Sequence, residues 1–159
     1  MINLLGNEEF KPLVKNGTVI PNYYISEDGR IANLKTGKLM KVRNIYSKRS
    51  SRLEAQFLTL TVPNTLFDDY QYHQKNKNTV AFSVSIHRAV METWRPIDKY
   101  PPVALKDGWN DVPEEWRQWV RDTALVDHID DDPTNNHVNN LRWVTPRENS
   151  HYIKKQKGV

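Results

Sequence analysis

The chain contains no cysteine, which excludes disulfide scaffolds, thiol catalysis, zinc ribbons and iron–sulfur clusters together. It has no apolar run near the roughly 18 residues needed to cross a bilayer, and its mean hydropathy is -0.75. The opening MINLLGNEEF places Glu8 and Glu9 where a secretory signal needs its apolar core, so a cytoplasmic protein with no membrane partner is expected. No fixed-period repeat or low-complexity tract occurs. The only side chains able to hold a metal are five His, the carboxylates and the amides, and no zinc is expected. What is present is enough for one unit: 159 residues with 38% hydrophobic content and five Trp can fill a core without staples, and at roughly 100 to 200 residues per domain there is no room for two large domains.

The net charge of +4 is unevenly spread. Residues 1–60 carry ten Lys and Arg against five Asp and Glu, and Lys41 to Arg52 holds five basic residues and no acid. Asp107 to Asp132 reverses this with nine acids against two bases, and Arg142 to Lys157 returns to five bases against one acid. Basic segments flanking an acidic one fit a polyanion-binding surface beside a cation-binding centre.

Turn signals divide the first half into short strands. Tyr23 to Ser26 runs into the Asp28-Gly29 hairpin signal and then Arg30 to Leu34, while Thr36-Gly37 leads into Lys38 to Arg43. Phe57, Leu58, Leu60 and Val62 form a further strand, stopped by Pro63. The expectation is a small antiparallel sheet. Beyond a polar loop from Pro63 to Asn78, Val80, Phe82 and Val84 alternate as a strand, and then Ile86, Ala89, Val90, Thr93 and Trp94 share one helical face. Pro113 opens a second helix, with Trp116, Trp119 and Val120 expected as its buried stripe.

The segment from Val126 to Asn149, VDHIDDDPTNNHVNNLRWVTPREN, carries the chemistry. Its pattern spells strand, loop, strand and helix. Asp127 and His128 stand side by side in a strand where alternation allows one polar residue, and Asp130, Asp131 and Asp132 read as turn formers. Thr145-Pro146-Arg147-Glu148 is a capping box. One residue later, Asn149 can face back across the hairpin toward Asp127. A carboxylate and an amide oxygen suit Mg²⁺ or Mn²⁺, with the remaining positions left to water and substrate. His128 falls on the opposite face of its strand from Asp127 unless the backbone bulges. His151, about 200° round the helix from Asn149, faces away, and His73, His87 and His137 are read as structural.

Asp127-His128, the Asn135-Asn136 loop, Asn140-Leu141-Arg142-Trp143-Val144-Thr145 and Glu148-Asn149 resemble the HNH endonuclease motif of the ββα-metal fold. The likeness is to phage homing endonucleases of the monomeric nicking type. It extends upstream to Tyr24-Ile25-Ser26 through Lys35-Thr36-Gly37-Lys38, similar to a DNA-contacting sheet, and to His87-Arg88-Ala89-Val90, similar to the helix entering the nuclease core.

The resemblance implies an α+β chain: an N-terminal small antiparallel sheet that contacts DNA in residues 1–80, then an HNH ββα-metal core in 81–159 with a connector insertion at 97–124. It implies that Asp127 and Asn149 hold one divalent cation, that His128 is the general base, and that Asn140 braces the hairpin. Arg30, Lys35, Lys38, Lys41, Arg43 and Arg142 are the expected contacts to double-stranded DNA. One site and no heptad repeat point to a monomer that nicks one strand, with a dimer left open, and the likeness to phage enzymes implies action inside a phage-infected bacterial cell. The alternative is a DNA-binding or regulatory protein that keeps the fold without the chemistry.

Overall fold

Asn16 and Gly17 both have positive φ, 49° and 76°, and this two-residue turn closes a hairpin between β1 (Phe10–Lys15) and β2 (Thr18–Ser26). The computed structural model describes residues 9–66 and 78–150. The Asp28-Gly29 turn leads to β3 (Ile31–Asn33), and Gly37 leads to β4 (Lys38–Leu39). These four strands form one antiparallel sheet in chain order. Its buried face carries Phe10, Leu13, Ile20, Tyr23, Ile25 and Ile31.

A second antiparallel sheet orders β5 (Arg43–Tyr46), β6 (Leu53–Pro63) and β7 (Thr79–Ser85). Leu58, Leu60 and Val62 alternate inward from β6 and meet Phe82 and Val84 of β7. The expected single small sheet is therefore two. The physical reason lies between Leu39 and Arg43: three non-strand residues separate β4 from β5, which pairs with β6 rather than continuing the first sheet. The position expected to divide the chain, residue 80, falls inside β7.

From Ile86 the period changes to that of a helix. α1 (Ile86–Trp94) buries Ile86, Ala89, Val90 and Met91 and lies on the β1–β2 hairpin, where the Val14 N–H donates to Thr93 Oγ1 at 3.0 Å and Trp94 Nε1 donates to the Ile25 carbonyl at 3.3 Å. A 3-10 segment (Val103–Asp111) and α2 (Glu114–Thr123) make up the connector. Here the expected stripe is overturned. Trp116 and Trp119 are 62% and 54% exposed, and Val120 is the buried residue of α2. The helix is held at its end instead, by Arg88 Nη1 donating to the Ala124 carbonyl at 2.8 Å and by Arg121 paired with Asp98 at 2.8 Å.

β8 (Leu125–His128) and β9 (Leu141–Val144) form a two-stranded antiparallel ribbon. Residues 146–150 are helical. The capping box is formed: the Glu148 N–H donates to Thr145 Oγ1 at 3.2 Å, and the Thr145 N–H donates to Glu148 Oε2 at 2.7 Å. Glu148 Oε1 also accepts from the Ala104 N–H at 3.0 Å, tying the connector to this helix.

Gly29 fixes how the first sheet meets the ribbon. Its φ is +86°, and a Cβ there would lie 2.6 Å from Ile86 Cγ2 and 3.2 Å from the Asn136 Cβ. The turn is thus inserted between α1 and the loop that joins β8 to β9, where the Val138 N–H donates to the Glu27 carbonyl at 2.8 Å. Buried side chains from both sheets, α1 and the ribbon form one continuous core. No helix among the described residues is long and apolar enough to cross a membrane.

Candidate active site

The β8–β9 ribbon runs in unbroken register, with Asp127 opposite Arg142 and His128 opposite Leu141. No bulge intervenes, and the two side chains of the Asp-His pair make separate sets of contacts. Asp127 Oδ2 accepts from Arg142 Nε at 2.8 Å and lies 2.6 Å from Arg142 Nη2. His128 instead approaches the connecting loop, with Nε2 3.1 Å from Asn136 Oδ1. Both residues nevertheless line one cleft of about 330 Å³, together with Val126, Asp131, Pro133, Ser50 and Arg52 of the β5–β6 turn, and Leu53 and Glu54 at the start of β6.

The loop between the strands is locked by short polar side chains. Asp130 Oδ1 accepts from the Asp132 N–H at 2.9 Å and from Asn140 Nδ2 at 2.8 Å. Asp132 Oδ1 accepts from the Thr134 N–H at 2.9 Å and from its hydroxyl at 2.7 Å. These hydrogen bonds favour the ionised forms and hold both carboxyls below the usual Asp range, that of Asp130 chiefly through the Asp132 N–H and that of Asp132 chiefly through the Thr134 N–H. Both are turn formers, as expected. Asn140 also donates to the Asn135 carbonyl at 2.9 Å, so it grips the loop following His128 without touching the imidazole. His137 caps the short 3-10 turn Val138–Asn140, its Nδ1 accepting from the Asn139 N–H at 3.1 Å.

Asn149 is half-buried in the first turn of the last helix, and among the described residues its amide has no side-chain hydrogen bond. No group of three or more His, Cys, Asp or Glu among the described residues is placed to hold a metal ion. A carboxylate and an amide oxygen fit a hard cation that keeps most of its positions for water and substrate, and they do not make a closed cage. His151 and His73 lie outside the described residues.

Among the expected DNA contacts, Lys35, Lys38, Lys41 and Arg43 are exposed, Arg43 hydrogen-bonds Thr59, and Arg30 pairs with Asp28 at 2.9 Å. Arg142 is half-buried against Asp127. Three residues in or beside the cleft were given no role in the site from the sequence. Arg52 stood inside the basic stretch and carried a signal. Asn136 and His87 stood in stretches that carry the resemblance but had no site role assigned, because their contacts come from elements far apart in the chain.

The half-buried His87 ring meets His128 edge-on, with centroids 5.2 Å apart. Burial, followed by the neighbouring His128 and Arg88, lowers its pKa from 6.5 to about 4. The folded chain therefore keeps His87 neutral in a window where the unfolded chain is protonated, so stability is retained above pH 6.5 and falls as the pH drops toward 4. The loss should approach about 3 kcal/mol at the acid end. Urea unfolding between these limits should show the slope in the wild type and lose most of it in His87→Phe; an unchanged slope would place the titration elsewhere.

The cleft thus sits on a strand–loop–strand–helix unit, β8, β9 and residues 146–150, set on a β-rich body. Residues 120–151 match the family model for HNH endonuclease. The chain also has the fold of the HNH homing endonuclease I-HmuI, whose solved structure concerns DNA binding and cleavage by that enzyme: the TM-score is 0.53 at 22% identity, covering 94% of this chain and 59% of that one. An uncharacterized HNH endonuclease of Acanthamoeba polyphaga mimivirus is 26% identical over 153 residues, 93% of this chain and 33% of the relative. The chain thus spans about a third of that protein's length. The α+β fold and the HNH resemblance read from the sequence are both borne out.

Proposed function

We propose that this chain is a divalent-cation-dependent DNA endonuclease that hydrolyses one phosphodiester at a time. The observation that carries this reading is the shared cleft: Asp127 and His128 line it together with Arg52 of the basic β5–β6 turn, within the segment that matches the HNH model. Asp127 and Asn149 are the residues that would hold Mg²⁺ or Mn²⁺. When bound there, the cation supplies positive charge at the scissile phosphate and the departing oxygen. His128 accepts a proton from the attacking water, and Asn140 keeps the following loop in place. The products are a 5′ phosphate and a 3′ hydroxyl. Lys35, Lys38, Lys41 and Arg43, with Arg30 and Arg142 nearer their carboxylate partners, meet the phosphates of double-stranded DNA.

With one Asp127–His128 site per chain, the expected reaction is a nick by a monomer. Supercoiled plasmid incubated with Mg²⁺ or Mn²⁺ should accumulate open circles well before linear DNA, and EDTA should stop the reaction. Failure to cut with any divalent cation would refute the nuclease reading. Linear product appearing directly, at a rate rising with the square of protein concentration, would show a dimeric double-strand cutter.

A further inference from the structure

Asn136 is a buried amide, 3% exposed, and burying an amide is costly unless its hydrogen bonds are made. Its Nδ2 donates to Gln56 Oε1 at 2.8 Å and to the Thr134 carbonyl at 3.4 Å. A carbonyl oxygen only accepts, so the Thr134 contact requires the NH₂ group on that side and leaves Oδ1 facing the other way. Oδ1 lies 3.1 Å from His128 Nε2. Because an amide oxygen cannot donate, the hydrogen of this bond belongs to Nε2, and Nδ1 of the neutral ring is left with its lone pair.

We infer that Asn136 is the positioning residue that fixes His128 in its Nε2-protonated tautomer and thereby presents Nδ1 to the attacking water. The inference rests on the nuclease reading above and names the atom that does its work. Nδ1 takes one water proton as the water oxygen forms its bond to phosphorus and the P–O3′ bond breaks. The 3′ oxygen then takes a proton from solvent.

Asn136 is itself anchored from the second sheet. Gln56, on β6, donates through Nε2 to Asn44 Oδ1 at 3.0 Å, and Asn44 donates through Nδ2 to the Tyr46 hydroxyl at 3.3 Å. All four bonds run in one sense, each donor pointing away from His128, an arrangement in which successive hydrogen bonds polarise one another. Asn44 and Tyr46 are exposed on β5, so the base is connected by side-chain amides to an exposed strand of the second sheet.

Long-range ¹H–¹⁵N spectra of the full chain, recorded at about pH 8 where a neutral imidazole is in the majority, report the tautomer without DNA. Wild type should show His128 as the Nε2–H form. Asn136→Leu should give a mixture of tautomers, and turnover on plasmid DNA should fall about tenfold to a hundredfold, the size seen when an outer-shell partner is removed, with KM nearly unchanged. A wild-type Nδ1–H tautomer, or an N136L variant with wild-type spectrum and rate, overturns the inference. If N136L fails to fold, Gln56→Leu leaves Asn136 in place but frees its amide, and the same change in smaller measure is expected; an unaltered spectrum and rate in Q56L would overturn the anchoring. If the wild type shows the Nε2–H tautomer but cuts no DNA, the nuclease reading alone fails, because the spectrum decides the hydrogen-bond assignment independently.

Discussion

Replacing His128 with alanine should slow DNA cleavage by about two to four decades while leaving affinity for uncut DNA close to wild type. General-base assistance contributes roughly that range, equivalent to about 3 to 5.5 kcal/mol of barrier at 1.4 kcal/mol per decade. The neighbouring imidazole cannot take over. His87 is 5.2 Å away between centroids, but its pKa of about 4 makes it a far weaker proton acceptor than an ordinary His at neutral pH. Nor should the fold collapse, since His128 is half-buried at the rim of the cleft. Single-turnover cleavage with protein in excess, paired with a gel-shift titration in EDTA, separates the two effects. Wild-type cleavage by His128→Ala would remove this residue from the mechanism, and an equal loss of binding would make it a contact residue.

The second large effect is expected at Asp127, and it has two parts. Asp127→Ala should abolish cleavage at ordinary Mg²⁺ concentrations because it removes the charged ligand, leaving Asn149 to supply a neutral oxygen. It also strips Arg142 of its carboxylate partner while the guanidinium is 29% exposed. Losing a hydrogen bond between charged groups costs on the order of 1.5 to 3 kcal/mol, so some loss of stability should accompany the loss of activity. Asp127→Asn distinguishes the two parts, since it retains an oxygen for Arg142 and lacks the charge. Cleavage should still be lost, and the urea midpoint should move less than in the alanine variant. Activity in Asp127→Ala at unchanged Mg²⁺ dependence would exclude this carboxylate as a metal ligand.

Local chemistry explains what could be read directly from the chain. The capping box at Thr145 and Glu148 forms as spelled because its partners are three residues apart. The apolar face of α1 was legible because period and burial coincide over Ile86, Ala89 and Val90. The β1–β2 hairpin carried a usable signal in Asn16-Gly17, although the strand reading began only at Tyr23. Trp116 and Trp119 misled for a physical reason. An apolar side chain on a helix is buried only if another element covers it, and α2 is held at its Arg121 and Ala124 end with both indoles outward. The site divides similarly. Asp127, His128 and Asn140 lie in one continuous motif. The bond from Asn136 to Gln56 spans 80 positions and depends on the packing of separate elements, which no local pattern encodes.

The seating of the Asp28-Gly29 turn against Ile86 and Asn136 bears on how such a protein can be taken apart. The Glu27 carbonyl receives the Val138 N–H, so part of the wall of the β8–β9 loop comes from the opposite end of the chain. Residues 81–159 transplanted onto another β-rich body would arrive without that wall and without Gln56. A recombination that exchanged the first sheet while keeping residues 120–151 would also have to preserve a glycine at this turn, with a backbone carbonyl two residues before it. The unit that can be inherited or grafted intact is therefore larger than the motif by which it is recognised.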